Sequence, residues 1–246
     1  MIAPVPIDVD APQVAPDKVF FAARRSARVA FDFEASAAVD LRVQFVLWRT
    51  RRVKRTYLLG AARPGRRVRL RWDGLTSRGR AAPDGRYRVQ VLGPDGRKRR
   101  LGAVSLYGHF FPVRGPHWTR GASGEFGAPR RLGDHTHDGF DIAAACGVPV
   151  VAARGGRVKR NIYDPVRYGY LVVIRGRKSN RDYWYSHLRR RPQLRRGDRV
   201  RTGQRLGRVG DTGNARTVGC HLHFEIRPRG RPVDPKPALR RWDRWS

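Results

Sequence analysis

Sulfur is scarce in this 246-residue chain, with two cysteines and one methionine. Neither cysteine stands in a C-x-x-C pair, which excludes a zinc ribbon. Acidic residues are few: 20 Asp and Glu against 53 Lys and Arg leave a formal net charge of +33. No apolar run is long enough to cross a bilayer, and helical periodicity is almost absent. No base-reading motif accompanies the charge, so sequence-specific nucleic-acid binding is not implied. The opening MIAPVPIDVDAPQVAP lacks a basic start and an apolar block. It does not read as a secretory signal and is expected to be a disordered lead-in over residues 1–19, with the export route left open.

What remains is a chain with enough apolar residues for a real core and a length that suits one large or two ordinary domains. Its surface repels itself and collects polyanions such as nucleic acid, anionic cell-wall polymer or anionic lipid, among which charge alone does not choose. Arginine is scattered along both halves, which points in part to coding bias.

Residues 20–107 read as strands throughout. VDLRVQFVL alternates strictly and puts Val39, Leu41, Val43, Phe45 and Leu47 on one face. VRLRW and YRVQV repeat the pattern with Val68, Leu70, Trp72 and then Tyr87, Val89, Val91. Turn chemistry (ARPGR, WDGLTSRG, and PDG twice) separates them. Short alternating strands with regular turns predict a small antiparallel β-sandwich. The segment 108–124, GHFFPVRGPHWTRGASG, is punctuated by Gly and Pro and reads as a connector. Strands then resume to about residue 239, and a basic, aromatic tail closes the chain at 240–246. The expected fold class is all-β in both halves.

The second half carries the chemistry. In HTHDGFDIAAACG, His137 and Asp141 share a parity, and Gly139 between them keeps that face open. In GCHLHFEIRP, His221, His223 and Glu225 fall on one face, with Leu222, Phe224 and Ile226 on the other. In YWYSHL, His187 shares a face with Tyr183 and Tyr185 at a strand end. Taken singly, each group fits a surface hydrogen bond or a solvated edge. Together, three segments supply imidazoles and a carboxylate that could converge on one metal ion. Two histidines and one aspartate would leave a fourth position for water, and two further histidines would remain as proton carriers. Imidazole suits that work because its reference pKa lies near neutrality.

Two resemblances add to this. VRLRWDGLTSRGRAAPDGRYRVQVL resembles the signature of the immunoglobulin-like domain of flagellar-hook-capping and other exported bacterial proteins, which implies a spacer or positioning module. The second half resembles the LytM/lysostaphin-type zinc endopeptidases, the M23 family. The carriers are GEFGAPR, HDGFDIAAACGVPVVAARGGRV, YGYLVVIRG, YWYSHL, GDRVRTGQRLGRVGDTGNA and GCHLHFEIRPRGRPVDP, in the family's order. That resemblance implies a zinc peptidase domain over residues 113–239 with an antiparallel β-sheet core. It implies one Zn2+ per chain on His137, Asp141 and His223, with His187 and His221 as the catalytic histidines. Its substrates would be peptide bonds of bacterial peptidoglycan. Relatives of this kind often carry a cysteine pair, and convergence of the ligands would bring Cys146 and Cys220 together. A disulfide is therefore expected, two buried free thiols being the alternative, and with it an extracytoplasmic setting.

Other readings compete. One is a non-catalytic LytM-like wall-binding or regulatory module, although inactive relatives usually lack some of the ligands or catalytic histidines kept here. Another is a polyanion-binding protein with a structural zinc, which would prefer a closed four-ligand site. GDRVRTGQRLGRVG is also similar to the hairpin of lipoyl and biotinyl carriers, but Arg and Thr stand where their attachment lysine belongs. PRRLGDHT lacks the aromatic residue that some M23 members place before the first ligand, so either oxyanion help comes from elsewhere or the rate is lower. His135 could compete for zinc or contact substrate, but it is expected to be a surface residue. Anionic wall polymers are an expected partner of the basic surface, with attraction that weakens as salt rises.

Overall fold

The computed structural model describes residues 5–130 and 136–246. The chain divides into two compact units, Met1–Gly108 and His109–Ser246. Among the described residues both are built of strands, with short 3₁₀ turns and one α-helix besides. His135 and most of the PRRLGDHT stretch lie outside the described residues.

The first unit holds β1 (Asp8–Ala15), β2 (Lys18–Phe20), β3 (Ala27–Glu34), β4 (Val39–Leu47), β5 (Arg52–Ala62), β6 (Val68–Trp72), β7 (Gly85–Leu92) and β8 (Lys98–Tyr107). They form a five-stranded sheet, β2-β8-β7-β4-β5, and a three-stranded one, β1-β3-β6. The alternation of β4 buries Val39, Leu41, Val43, Phe45 and Leu47. These side chains share one apolar core with Phe31 and Phe33 of β3 and Trp72 of β6, so the two sheets form a sandwich. The Trp72 ring lies 4.3 Å from Phe45 and 4.7 Å from Tyr87. Trp72 Nε1 donates to the Leu75 carbonyl and the Tyr87 hydroxyl to that of Pro83, so neither buried polar atom is orphaned. The immunoglobulin-like relationship rests on its sequence resemblance.

Of the lead-in expected over residues 1–19, the described part from residue 5 on is ordered instead, as the edge strand β1 followed by β2. Proline and aspartate made it look loose. An edge strand tolerates proline, however, and the register of β1 shifts between Asp10 and Gln13, where Ala11 and Pro12 stand. Ile7 and Val19 anchor the segment in the core.

The second unit holds β9 (Trp118–Thr119), β10 (Phe140–Ala143), β11 (Pro149–Val151), β12 (Gly156–Asp164), β13 (Gly169–Gly176), β14 (Arg181–Leu188), β15 (Arg199–Val200), β16 (Arg205–Arg208), β17 (His221–Pro228) and the helix α1 (Lys236–Asp243). Seven strands form one antiparallel sheet, β15-β12-β13-β14-β17-β10-β9, and β11 pairs with β16. Its core joins Phe224, Tyr185, Val172, Ile174, Leu188 and Trp242.

Two expected boundaries move. The connector over 108–124 contributes Phe111 and Val113 to this core and β9 to its sheet, because apolar residues sit between its glycines and prolines. The tail over 240–246 begins inside α1, where Leu239 and Trp242, three apart, bury one face and leave Arg240 and Arg241 in water. Two apolar residues over two turns are too few to register as a period.

Cys146 and Cys220 form a disulfide, as expected. It ties the chain just beyond the end of the β10–β17 pair, where Ala143 faces His221. Closing a 74-residue span is worth roughly 4 kcal/mol on the chain-entropy model. Cys146→Ser combined with Cys220→Ser should lower the unfolding free energy by about that amount in denaturant titration. An unchanged midpoint would show that the bridge adds nothing to stability.

Candidate metal centre

β17 lies between β14 and β10 in the sheet. Its even positions, Leu222, Phe224 and Ile226, are buried in the core, which turns His221, His223 and Glu225 to the opposite face. In the β10 pairing Asp141 stands directly across from His223, so both side chains leave on that face. His137 precedes β10 and is pinned by backbone bonds to Ala128 and Gly127. Its Nε2 reaches 3.1 Å from Asp141 Oδ1 and 2.8 Å from His223 Nδ1, and His223 Nδ1 is 3.0 Å from the same oxygen. One nitrogen or oxygen from each of the three residues could therefore hold a single metal ion. All three side chains are buried.

The outer atoms of these groups are also committed. His137 Nδ1 donates to the Glu125 carbonyl at 2.8 Å, which leaves Nε2 for the centre. His223 Nε2 donates to Glu225 Oε1 at 2.9 Å. Glu225 is fully buried, and its other oxygen accepts from Arg227, which also bonds Asp138. A carboxylate behind a ligating imidazole fixes its tautomer and raises its basicity. Burial opposes ionisation at both acidic groups. His137 and His223 nonetheless hold Asp141 well below the usual carboxylate range, and His223 and Arg227 hold Glu225 below it. Burial would lower His223, but the two carboxylates outweigh it and push it up to about 9.

His187 reaches this group by a different route from the one its parity suggests. Tyr183 and Tyr185 face the core beside Phe224, and the expected shared face with His187 is not formed. Tyr170 pairs with Leu188 and Val172 with Tyr185, so Ser186 and His187 together oppose Leu171 alone. This bulge puts His187 at φ +58° and re-aims its ring to 4.7 Å from His221 and 5.9 Å from His223. His187 Nδ1 donates to the Thr212 carbonyl at 2.8 Å, and His221 Nδ1 lies 2.9 Å from that of Gly219 and 3.0 Å from Arg120 Nη1. His187 Nε2 is thereby left unprotonated. Burial, with neighbouring His221 and His223, lowers His187 to about 3. Burial also lowers His221, against the opposing pull of Asp141.

All five expected site residues thus meet in one groove, which Tyr168, Arg120 and Arg130 also line. Strand parity puts Glu225 on the site face, and its bond to His223 Nε2 comes from the folded geometry. Arg120 and Tyr168 join the groove without any mark in the sequence. Arg120 enters because Thr119 pairs with Ile142, and Tyr168 because the turn before β13 folds back beside His223, ring centres 6.1 Å apart. No local pattern signals either.

His223 on β17, Asp141 on β10 and His137 just before β10 give three buried donors, a set that could hold one metal ion and leave a position free. The model of Peptidase family M23 matches residues 135–235. A lipoprotein NlpD of Yersinia enterocolitica is 36% identical over 96 residues, 39% of this chain and 93% of that one. The chain belongs to peptidase family M23. The peptidoglycan DD-endopeptidase ShyA of Vibrio cholerae is 36% identical over 115 residues, 45% of this chain and 26% of its own length. The murein hydrolase activator NlpD of Salmonella dublin is 37% identical over 98 residues, 39% of this chain and 24% of its own. Against the first curated relatives the chain spans between 26% and 40% of their length.

Gly139 tests the packing behind the centre. A Cβ there would meet the Phe224 carbonyl at 2.7 Å, His223 Cε1 at 2.8 Å and Glu225 Cγ at 2.9 Å. Gly139→Ala should cost about 1–3 kcal/mol of stability, as overpacking does, and should weaken metal uptake by displacing His223. Thermal melts and metal titration read the two effects, and an unperturbed variant would show that this contact does not constrain the site.

Proposed function

We propose that this chain is a zinc-dependent endopeptidase that hydrolyses peptide bonds of bacterial peptidoglycan outside the cytoplasm. The observation that carries the reading is the convergence of His137, Asp141 and His223 beside two neutral histidines, His187 and His221, in one groove. In this reading the first three side chains hold one Zn2+, whose donor preference their nitrogens and oxygen match. When bound there, zinc would supply polarisation of a carbonyl and acidification of a water. His187 presents an unprotonated Nε2 to the groove, its Nδ1 fixed by the Thr212 carbonyl, and His221 stands beside it, its Nδ1 next to the Gly219 carbonyl. One can take a proton from water, and the other can give one to the leaving amine. The disulfide supports an oxidising compartment. The sandwich unit would serve as spacer, and the +33 surface would gather anionic wall polymer.

A second reading is favoured by the name of the Salmonella dublin relative, a murein hydrolase activator. On that view the domain would bind wall or regulate another hydrolase without cleaving. Retention of both proton-carrying histidines beside the metal-binding trio argues for catalysis.

Purified peptidoglycan digested with and without a chelator, with product masses read afterwards, separates the two. Soluble peptides that vanish on chelation are expected, and intact wall under both conditions would favour the regulatory reading. His187→Ala should keep stoichiometric zinc and lose turnover, whereas retained cleavage would count against its role.

Metal uptake should also depend on pH in a defined direction. His223, pushed up to about 9, carries a proton on its metal-facing nitrogen at neutral pH. Each ion bound below pH 9 must expel that proton, so apparent affinity should rise about tenfold per pH unit between pH 6.5 and 9. A pH indicator in weak buffer reads the release as zinc is added. Uptake without any release at pH 7.5 would contradict this.

A further inference from the structure

Resting on the hydrolase reading, we propose that the groove selects peptides with a free carboxylate beside the cleaved bond, recognised by Arg120 and Arg130. Arg120 Nη1 lies 3.0 Å and 3.4 Å from the two ring nitrogens of His221 and 3.9 Å from Asp141 Oδ2, while Nη2 donates to the Val218 carbonyl at 2.7 Å. Arg130 lines the same groove and donates to the Ser123 carbonyl at 2.9 Å. Gly124, next to Ser123, packs against Arg120, since a Cβ there would stand 2.8 Å from Arg120 Cβ. The two arginines thus flank one turn at the mouth of the centre.

Both guanidinium groups are anchored by backbone carbonyls, and the nearby acids are committed elsewhere. Asp141 bonds His137 and His223; Glu225 bonds His223 and Arg227; Asp138 bonds Arg227. Among the described residues, the closest carboxylate to Arg120 is that of Asp141, and it is turned to the histidines. Each guanidinium carries five N–H donors, of which one carbonyl uses only one or two. Two like charges at one turn repel each other, and their planar forks match a carboxylate in geometry and charge. A bound divalent ion would make the groove more positive still. A neutral peptide leaves Arg120 with only the 3.9 Å approach of Asp141, whereas an acidic side chain pairs the two cations directly.

The test uses the zinc-loaded full chain and two end-blocked pentapeptides, Ala-Ala-Glu-Ala-Ala and Ala-Ala-Gln-Ala-Ala, titrated calorimetrically at 0.15 M salt. The acidic peptide should bind at least tenfold tighter, as a charge-assisted hydrogen bond allows. Arg120→Gln and Arg130→Gln should each erase most of that ratio while keeping one zinc per chain. Paired Arg190→Gln and Arg191→Gln, on an exposed turn, should leave the ratio intact. Equal binding of the two peptides, or a preference that survives both groove variants, overturns the proposal. The wall digest is read separately. No cleavage with the preference intact refutes the hydrolase and leaves the carboxylate site standing, while cleavage without preference does the reverse.

Discussion

The centre depends on a register: Asp141 across from His223 in the β10–β17 pair. Side chains alternate along a strand with a period of two, so a slip by one residue would turn the whole set to the other face. The alternation of Leu222, Phe224 and Ile226 into the core makes such a slip costly, because three polar residues would replace them there. Beyond the pair, Cys146 and Cys220 lock the same alignment covalently. At its other end Gly139 admits no side chain larger than hydrogen. Core, bridge and glycine therefore constrain one alignment from three directions.

The same placement creates an electrostatic problem. Buried Asp141 and Glu225 keep their charge only because partners pay for desolvation, and without an ion one of those partners is a protonated His223. Its two carboxylates lie on opposite ring nitrogens, Asp141 at Nδ1 and Glu225 at Nε2. A cation replacing the Nδ1 proton would keep Asp141 satisfied and leave the Glu225 bond untouched. His187 and His221 lack such a carboxylate at hydrogen-bond distance; carbonyls hold their Nδ1 atoms, and burial keeps them neutral. Environment thus favours charge on one imidazole and neutrality on two others, although all three come from the same residue type.

Much of this was legible in the sequence because strand alternation is a local property. The faces of β4 and β17, and the placing of His221 and His223 opposite Leu222 and Phe224, follow from period two alone. His187 breaks that inference. Its parity matches Tyr183 and Tyr185, and only the bulge at Ser186 and His187 moves it to the other face. A bulge is specified by the pairing with β13, which no window of β14 contains. Edge strand β1 and helix α1 escaped for a related reason: each owes its order to packing on distant residues and carries too few apolar positions to declare itself. Arg120 reaches the groove through a two-residue strand pairing, again a long-range fact.

The excess of arginine raises a last question, namely how any one of them could confer selectivity against a background of +33. Exposed charges separated by more than about 8 Å are largely screened at physiological ionic strength. Most of the surface therefore acts as a diffuse attractor that raises local concentration without distinguishing one acidic peptide from another. Arg120 differs in being mostly buried, at 23% side-chain exposure, and in standing within contact of His221. Screening is weaker there, and its direction is set by the Val218 carbonyl. A site defined by two anchored forks can discriminate a carboxylate by position, whereas the surrounding charge can only bring it near.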